Sequence, residues 1–384
     1  MINKRQSNFE LMRIVSMMMI IVGHTFSWGG ITRVASPHIE KLIYAVYAII
    51  LVHVNSFVLL SGYFQSDSKF KIKKALKLLI IMYFYKALII LIGINFGWFS
   101  LTKNEILWQL CPINFSNYWF LNVYIVLYFL SPFLNKFINC LTKNNMSKLL
   151  VVLFVFCSVL TTITNQEIFF NSNGYSLIQF IFLYFVGAYI RKFVIDNEKK
   201  SLLYNEKKKL IVYFYISISL FILFFILNYF LYRFGIVMMN KDGLIYTFGN
   251  ILKSSFMHYD NPLIIIGSIS YFMFFVLLKF RSRAINILAS SVMSVYIIHE
   301  TGVFRSTLYS WFSLNKLKYV FSYKIFIRVL FIAVAIFIGA TVVDFVRKIL
   351  SKSLYIFIDK FNLFKNTRLK LKKIENKINL WMNI

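Results

Sequence analysis

Ten apolar runs, separated by polar segments, follow one another along the chain at 9–28, 42–64, 76–98, 118–139, 149–165, 176–195, 210–234, 261–280, 285–303 and 325–347. A helix rises about 1.5 Å per residue, so about 20 residues cross a hydrocarbon layer roughly 30 Å thick. The pattern predicts an all-α polytopic bundle of about ten transmembrane helices. The first run holds Arg13, lacks a small-x-small cleavage site and precedes many more spans, so it is expected to be a retained helix rather than a leader. Outer segments near 99–117, 235–260 and 304–324 read as loops, two of them long enough to shape a mouth over the bundle. The chain divides into a transmembrane domain over 1–347 and a tail over 348–384 in which apolar and basic residues alternate. Such a tail is expected to lie as an amphipathic helix on an anionic inner leaflet. The absence of an internal repeat weakens an inverted-repeat transporter reading.

Composition agrees with a membrane class: 59% of the 384 residues are hydrophobic, 19% are aromatic and only 4 are proline. The net charge of +29 first suggests nucleic acid as a partner. Its distribution argues against that. Loops on the side of the N-terminus, together with the tail, carry 28 basic residues against 9 on the opposite side. The positive-inside rule therefore places both termini in the cytoplasm, with membrane lipids rather than nucleic acid as partners. The three cysteines have neither disulfide nor metal spacing, and no metal is expected. P-loop, HExxH and dinucleotide glycine patterns are absent, which leaves nucleotide hydrolysis and metalloprotease chemistry without support. A composition rich in Ile, Phe, Lys and Asn suggests an AT-rich bacterial genome, hence a bacterial plasma membrane.

Against this apolar background the polar positions stand out. Arg13 and His24 are eleven residues apart on the first span, about three turns plus 20°, so they share a face and lie about 16 Å apart along the axis. A cation and an imidazole in hydrocarbon mark a functional site by default, although Arg13 alone could snorkel to the inner interface. His53 and His299 fall within other spans and could converge with His24 on one polar cavity, or each could bond a neighbouring helix. Lys86 falls near the midplane of the third span, to line the cavity or to pair with a carboxylate such as Glu300. Glu300 is also placed to orient an imidazole or bind a sugar hydroxyl. Trp119 and Asn122 open the fourth span, where stacking of a sugar competes with an interfacial aromatic belt. Arg328 and Asp344, near opposite ends of the last span, read as snorkelling residues, and Gly93-x-x-x-Gly97 reads as a helix-packing pair.

Several segments together resemble membrane acyltransferase family 3, the bacterial O-acyltransferases of surface polysaccharides. They are Arg13-x10-His24, the run Phe57-Val58-Leu59-Leu60-Ser61-Gly62-Tyr63 followed by a basic stretch from Lys69 to Lys77, Trp119-Phe120-Leu121 with Tyr124, Tyr128, Pro132 and Asn135, and Ser294 to His299. Arg281-Ser282-Arg283 departs from the paired-arginine spacing of better-known members. The resemblance implies transfer of an acyl group, usually acetyl, from cytoplasmic acetyl-CoA to a hydroxyl of a carbohydrate or glycolipid. His24 would serve as general base or transient acyl carrier. Arg13 would hold part of the donor, and Lys73, Lys74, Arg281 and Arg283 would attract its phosphates. The competing expectation is a transporter or flippase for a lipid-linked sugar.

Overall fold

The computed structural model describes residues 5–110, 118–164, 171–195, 206–314, 324–360, 373–374 and 376–377. Among them every regular element is a helix. Among the described residues nine helices are long and apolar enough to cross a membrane, or ten if one sharply bent pair counts as a single span. The protein is thus the all-α, multi-pass bundle that the apolar pattern predicts.

In chain order the helices are α1 (Ser7–Trp28), α2 (Pro37–Ile50), α3 (His53–Gln65), α4 (Ile72–Asn95), α5 (Lys103–Leu110), α6 (Trp119–Cys140), α7 (Lys143–Thr164) and α8 (Leu177–Ile195). They continue with α9 (Glu206–Met238), α10 (Gly243–Ser254), α11 (Pro262–Leu277), α12 (Arg283–Ala289), α13 (Val292–Glu300), α14 (Gly302–Ser310) and α15 (Lys324–Lys360). Local chemistry marks where several begin. Ser36, Thr142, Ser176, Asn261 and Ser282 each accept a backbone N–H of the first turn, and Pro37 and Pro262 follow two of these caps. The first helix is the hub, packing against α2, α3, α11, α12, α13, α14 and α15.

Close approach between α3 and α8 depends on two glycines. A Cβ on Gly62 would lie 2.1 Å from the Tyr184 carbonyl oxygen, and one on Gly187 would lie 2.2 Å from that of Leu59. The helices therefore meet backbone to backbone, the contact that small residues permit in membranes. This accounts for the glycine of the Ser61-Gly62-Tyr63 segment by packing rather than by chemistry.

The structure departs from the expected shape in several places. The second span holds as one span, Pro37–Gln65, with a two-residue break at Leu51–Val52, so that His53 opens α3. The ninth is no straight span: α13 turns by 85° into α14 at Thr301. The segment 235–260 is not an open loop, because α10 folds back on α9 where Gly235 and Gly249 meet; a Cβ on either would lie 2.7 Å from the carbonyl oxygen of the other. Gly93 and Gly97 make a turn instead of packing two helices. Gly97 has φ +64°, and a Cβ on Gly93 would strike the Phe99 ring at 2.2 Å. The last helix runs unbroken through the expected boundary at 347/348. Most of the expected tail lies outside the described residues.

Candidate active site

The polar face of α1 is the starting point. Glu10, Arg13, Met17, Ile20 and His24 recur at helical spacing, and all five line one cavity of about 700 Å³. One end of the cavity is basic, walled by Arg5, Lys74, Lys77, Arg347 and Lys348; the other holds His24, His53, Trp119 and Tyr259. Arg13 therefore faces the cavity, and its guanidinium donates to Glu10 Oε1 at 2.8 Å one turn earlier.

His24 sits near the end of α1. Its side chain is 28% exposed, toward the cavity. Nδ1 of His24 lies 3.2 Å from His299 Nε2 and 2.8 Å from Glu300 Oε1. His299 is wholly buried, with Nδ1 2.6 Å from the carbonyl oxygen of Val295. A carbonyl oxygen can only accept, so His299 carries its proton on Nδ1 and turns a bare Nε2 toward His24. A carboxylate oxygen is likewise an acceptor. Both neighbours of His24 Nδ1 thus demand a proton there, and the neutral ring keeps its lone pair on Nε2.

The bend after α13 completes this cluster. It brings Arg305 of α14 back onto Glu300, donating to Oε2 at 2.9 Å, with the guanidinium stacked 3.7 Å from the centre of the Trp28 ring. Thr301 at the bend donates to the carbonyl oxygen of Ile297 at 2.8 Å and pairs with the Tyr118 hydroxyl at 2.7 Å. Glu300 therefore sits between an imidazole and a guanidinium, which offsets the penalty of a carboxylate at this depth.

The basic end has a second buried carboxylate that the sequence reading assigned to snorkelling. Asp344 is wholly buried. Its Oδ1 accepts from Tyr85 at 2.7 Å, from Ser294 at 2.7 Å, and from Arg347 Nε and Nη2 at 2.9 and 2.8 Å. Lys348 Nζ lies 2.7 Å from Oδ2 and donates to Ser290 and Ser291 at 2.7 and 2.9 Å. All three ammonium protons are so engaged, whereas the guanidinium has five N–H groups, those on Nη1 make none of these contacts, and Arg347 lines the cavity. Arg328 does stay exposed, as expected of a snorkelling residue.

Other predicted positions fall as follows. His53 lines the cavity, edge-on to the Tyr259 ring at 5.7 Å, with Nδ1 lacking a hydrogen-bond partner. Trp119 is on the wall, 4.4 Å from the Tyr175 ring and 6.1 Å from that of Tyr259. Asn122 is half-buried and off the wall. Lys86 is also off the wall and does not pair with Glu300; it donates to the Gln109 carbonyl oxygen at 2.8 Å and lies over the Tyr118 ring. Lys74 lines the cavity, but Lys73, Arg281 and Arg283 are exposed outside it. The segment holding the two arginines ties down the start of α1, where the Ser282 N–H donates to Ser7 Oγ at 2.9 Å. Sequence reasoning missed Arg5, Glu10, Arg305, Arg347 and Lys348. The i, i+3, i+4 spacing of Asp344, Arg347 and Lys348 in an apolar helix was the available signal.

The bundle thus lines a cavity with an oriented imidazole toward one end and cations toward the other. Residues 6–345 match the family model of the acyltransferase domain. The chain therefore belongs to membrane acyltransferase family 3. No curated protein and no solved structure matches it.

Proposed function

We propose that this membrane acyltransferase moves an acetyl group from acetyl-CoA, entering at the basic, cytoplasmic end, to a hydroxyl of a surface polysaccharide or its lipid-linked precursor. The observation that carries this reading is His24 Nδ1 held 3.2 Å from His299 Nε2 and 2.8 Å from Glu300 Oε1 on the cavity wall, contacts that assign its proton to Nδ1 and leave Nε2 as a base. A general base must reach the proton it removes and have a pKa near working pH, and imidazole meets the second condition.

The acceptor hydroxyl gives its proton to His24 Nε2 as its oxygen attacks the thioester carbonyl carbon. Collapse of the tetrahedral intermediate breaks the carbon–sulfur bond, and the imidazolium returns the proton to the departing thiolate. Glu300 stabilises the imidazolium formed in between, and His299 fixes the ring orientation. About 16 Å of α1 separates Arg13 from His24, a span suited to an extended pantetheine arm whose phosphates stay among Arg5, Lys74 and Arg347. In a bacterial plasma membrane the 28-to-9 distribution of basic residues supports a cytoplasmic position for that end, on the side where acetyl-CoA is made.

Membranes bearing the protein should incorporate label from radiolabelled acetyl-CoA into carbohydrate esters, and His24→Ala should incorporate none while still inserting. Glycan export that requires the protein without any ester label would replace this reading with the transporter.

A further inference from the structure

Three donor atoms meet at the end of the cavity opposite the basic cluster: His24 Nδ1, His299 Nε2 and Glu300 Oε1 all lie within 4.8 Å of one another. Two imidazoles and one carboxylate form a donor set that zinc accepts, with a fourth position left for water. Two further features favour a cation. Glu300 is 7% exposed, and its Oε1 faces the Nδ1–H of His24 at 2.8 Å, a single proton that also lies toward His299. A buried carboxylate oxygen that shares one N–H with another acceptor keeps lone-pair capacity for a cation. Moreover, the outer groups of two ligands are already held in ligating form: His299 Nδ1 by the Val295 carbonyl oxygen, and Glu300 Oε2 by Arg305. Ligating histidines and carboxylates are oriented by such outer contacts.

We propose that Zn²⁺ binds His24 Nδ1, His299 Nε2 and Glu300 Oε1 from the cavity and reversibly switches the transferase off. The metal takes the Nδ1 lone pair of His24, so the single proton of the neutral ring moves to Nε2 through solvent. That proton occupies the lone pair needed to deprotonate the acceptor hydroxyl. The inhibitory half of this proposal rests on the function proposed above; the binding half does not. The positive charge of Arg305 opposes a dication in the same cluster and weakens the site relative to the same donors without a guanidinium beside them.

Titration of the detergent-solubilised full chain with Zn²⁺ alone, followed by calorimetry, should give one site per chain that is lost to a chelator. His299→Ala should weaken it by more than about tenfold. Glu300→Gln should weaken it too, and serves if His299→Ala does not fold. Equal zinc binding in both variants would assign the metal to other donors, such as exposed His38 or Cys140, and would overturn the proposal. Where transfer is measurable, zinc should inhibit it and a chelator restore it; transfer that zinc leaves untouched, or that the chelator itself abolishes, overturns the switch. Zinc bound at this cluster in a protein that transfers no acetyl group would leave the site standing and remove the proposed function.

Discussion

Toward each end of the cavity a buried carboxylate, Glu300 or Asp344, serves two basic side chains, yet these two carboxylates do different things. Glu300 splits its oxygens between an imidazole and a guanidinium, and its partners come from α1 and from across a bend. Asp344 gathers Tyr85, Ser294, Arg347 and Lys348, with both cations on its own helix. The first arrangement sets which nitrogen of His24 carries a proton. The second fixes where positive charge stands. Under the proposed function, the first serves a step that moves a proton and the second a ligand that carries negative charge throughout. The difference teaches that a buried ion pair alone does not name a function; the chemistry of the partner does.

Removing the two carboxylates should separate these roles. Asp344→Ala strands two cations that share a wholly buried partner. Deleting one member of a buried pair costs about 3–5 kcal/mol, so this variant should show the largest loss of stability, read as unfolding in detergent. Glu300→Gln keeps shape and an oxygen but cannot balance an imidazolium. General base catalysis contributes about 10²- to 10⁴-fold, and we expect kcat to fall within the lower half of that range while donor KM stays near wild type. A Glu300→Gln variant that instead raised donor KM with kcat intact would erase the contrast between the ends.

The sequence revealed the bundle far better than the site. Twenty apolar residues in a row leave a chain few options in a bilayer, so the spans are readable from composition and periodicity. The stripe joining Arg13 to His24 is readable for the same reason, since helical spacing alone puts both on one face. His299 and Glu300 were visible as polar residues at depth, but their meeting with His24 was not, because it depends on the packing of α13 against α1. Arg305 was hidden by the 85° bend at Thr301, which no spacing rule announces. Lys86 misled because its partner is a backbone carbonyl oxygen of Gln109, a group that every residue offers and no sequence distinguishes. Asp344 misled by lying near a span end, where snorkelling is the ordinary outcome; burial by Tyr85 of another helix decides otherwise.

A smaller effect tests what the basic end holds. Arg347→Ala removes a guanidinium that lines the cavity but leaves Asp344 paired with Lys348. A hydrogen bond to a charged group is worth about 1.5–3 kcal/mol, which corresponds to a rise of about 10- to 100-fold in KM for acetyl-CoA, with kcat little changed. Acetyl-pantetheine lacks the nucleotide phosphates, so its KM should be the same in Arg347→Ala and wild type. A variant equally impaired with both donors would mean that Arg347 supports the helix and not the phosphates.

The smallest expected effect probes the frame beneath that guanidinium. Tyr85→Phe deletes one of the hydroxyls on Asp344 Oδ1 and the contact of Arg347 Nε with that hydroxyl at 3.1 Å. Arg347 and Ser294 still satisfy the carboxylate, so the net loss is that of an ordinary hydrogen bond, about 1 kcal/mol. Unfolding should shift slightly and KM for acetyl-CoA should rise no more than about fivefold, with kcat unaltered. The equivalent lesion at the other end, Tyr118→Phe, frees Thr301 at the bend that delivers Arg305 to Glu300. It should therefore appear in kcat rather than in donor KM, because it loosens the group that orients the base. Were both tyrosine variants to change the same kinetic constant, the two ends would be one structural unit and the division of labour between Glu300 and Asp344 would fail.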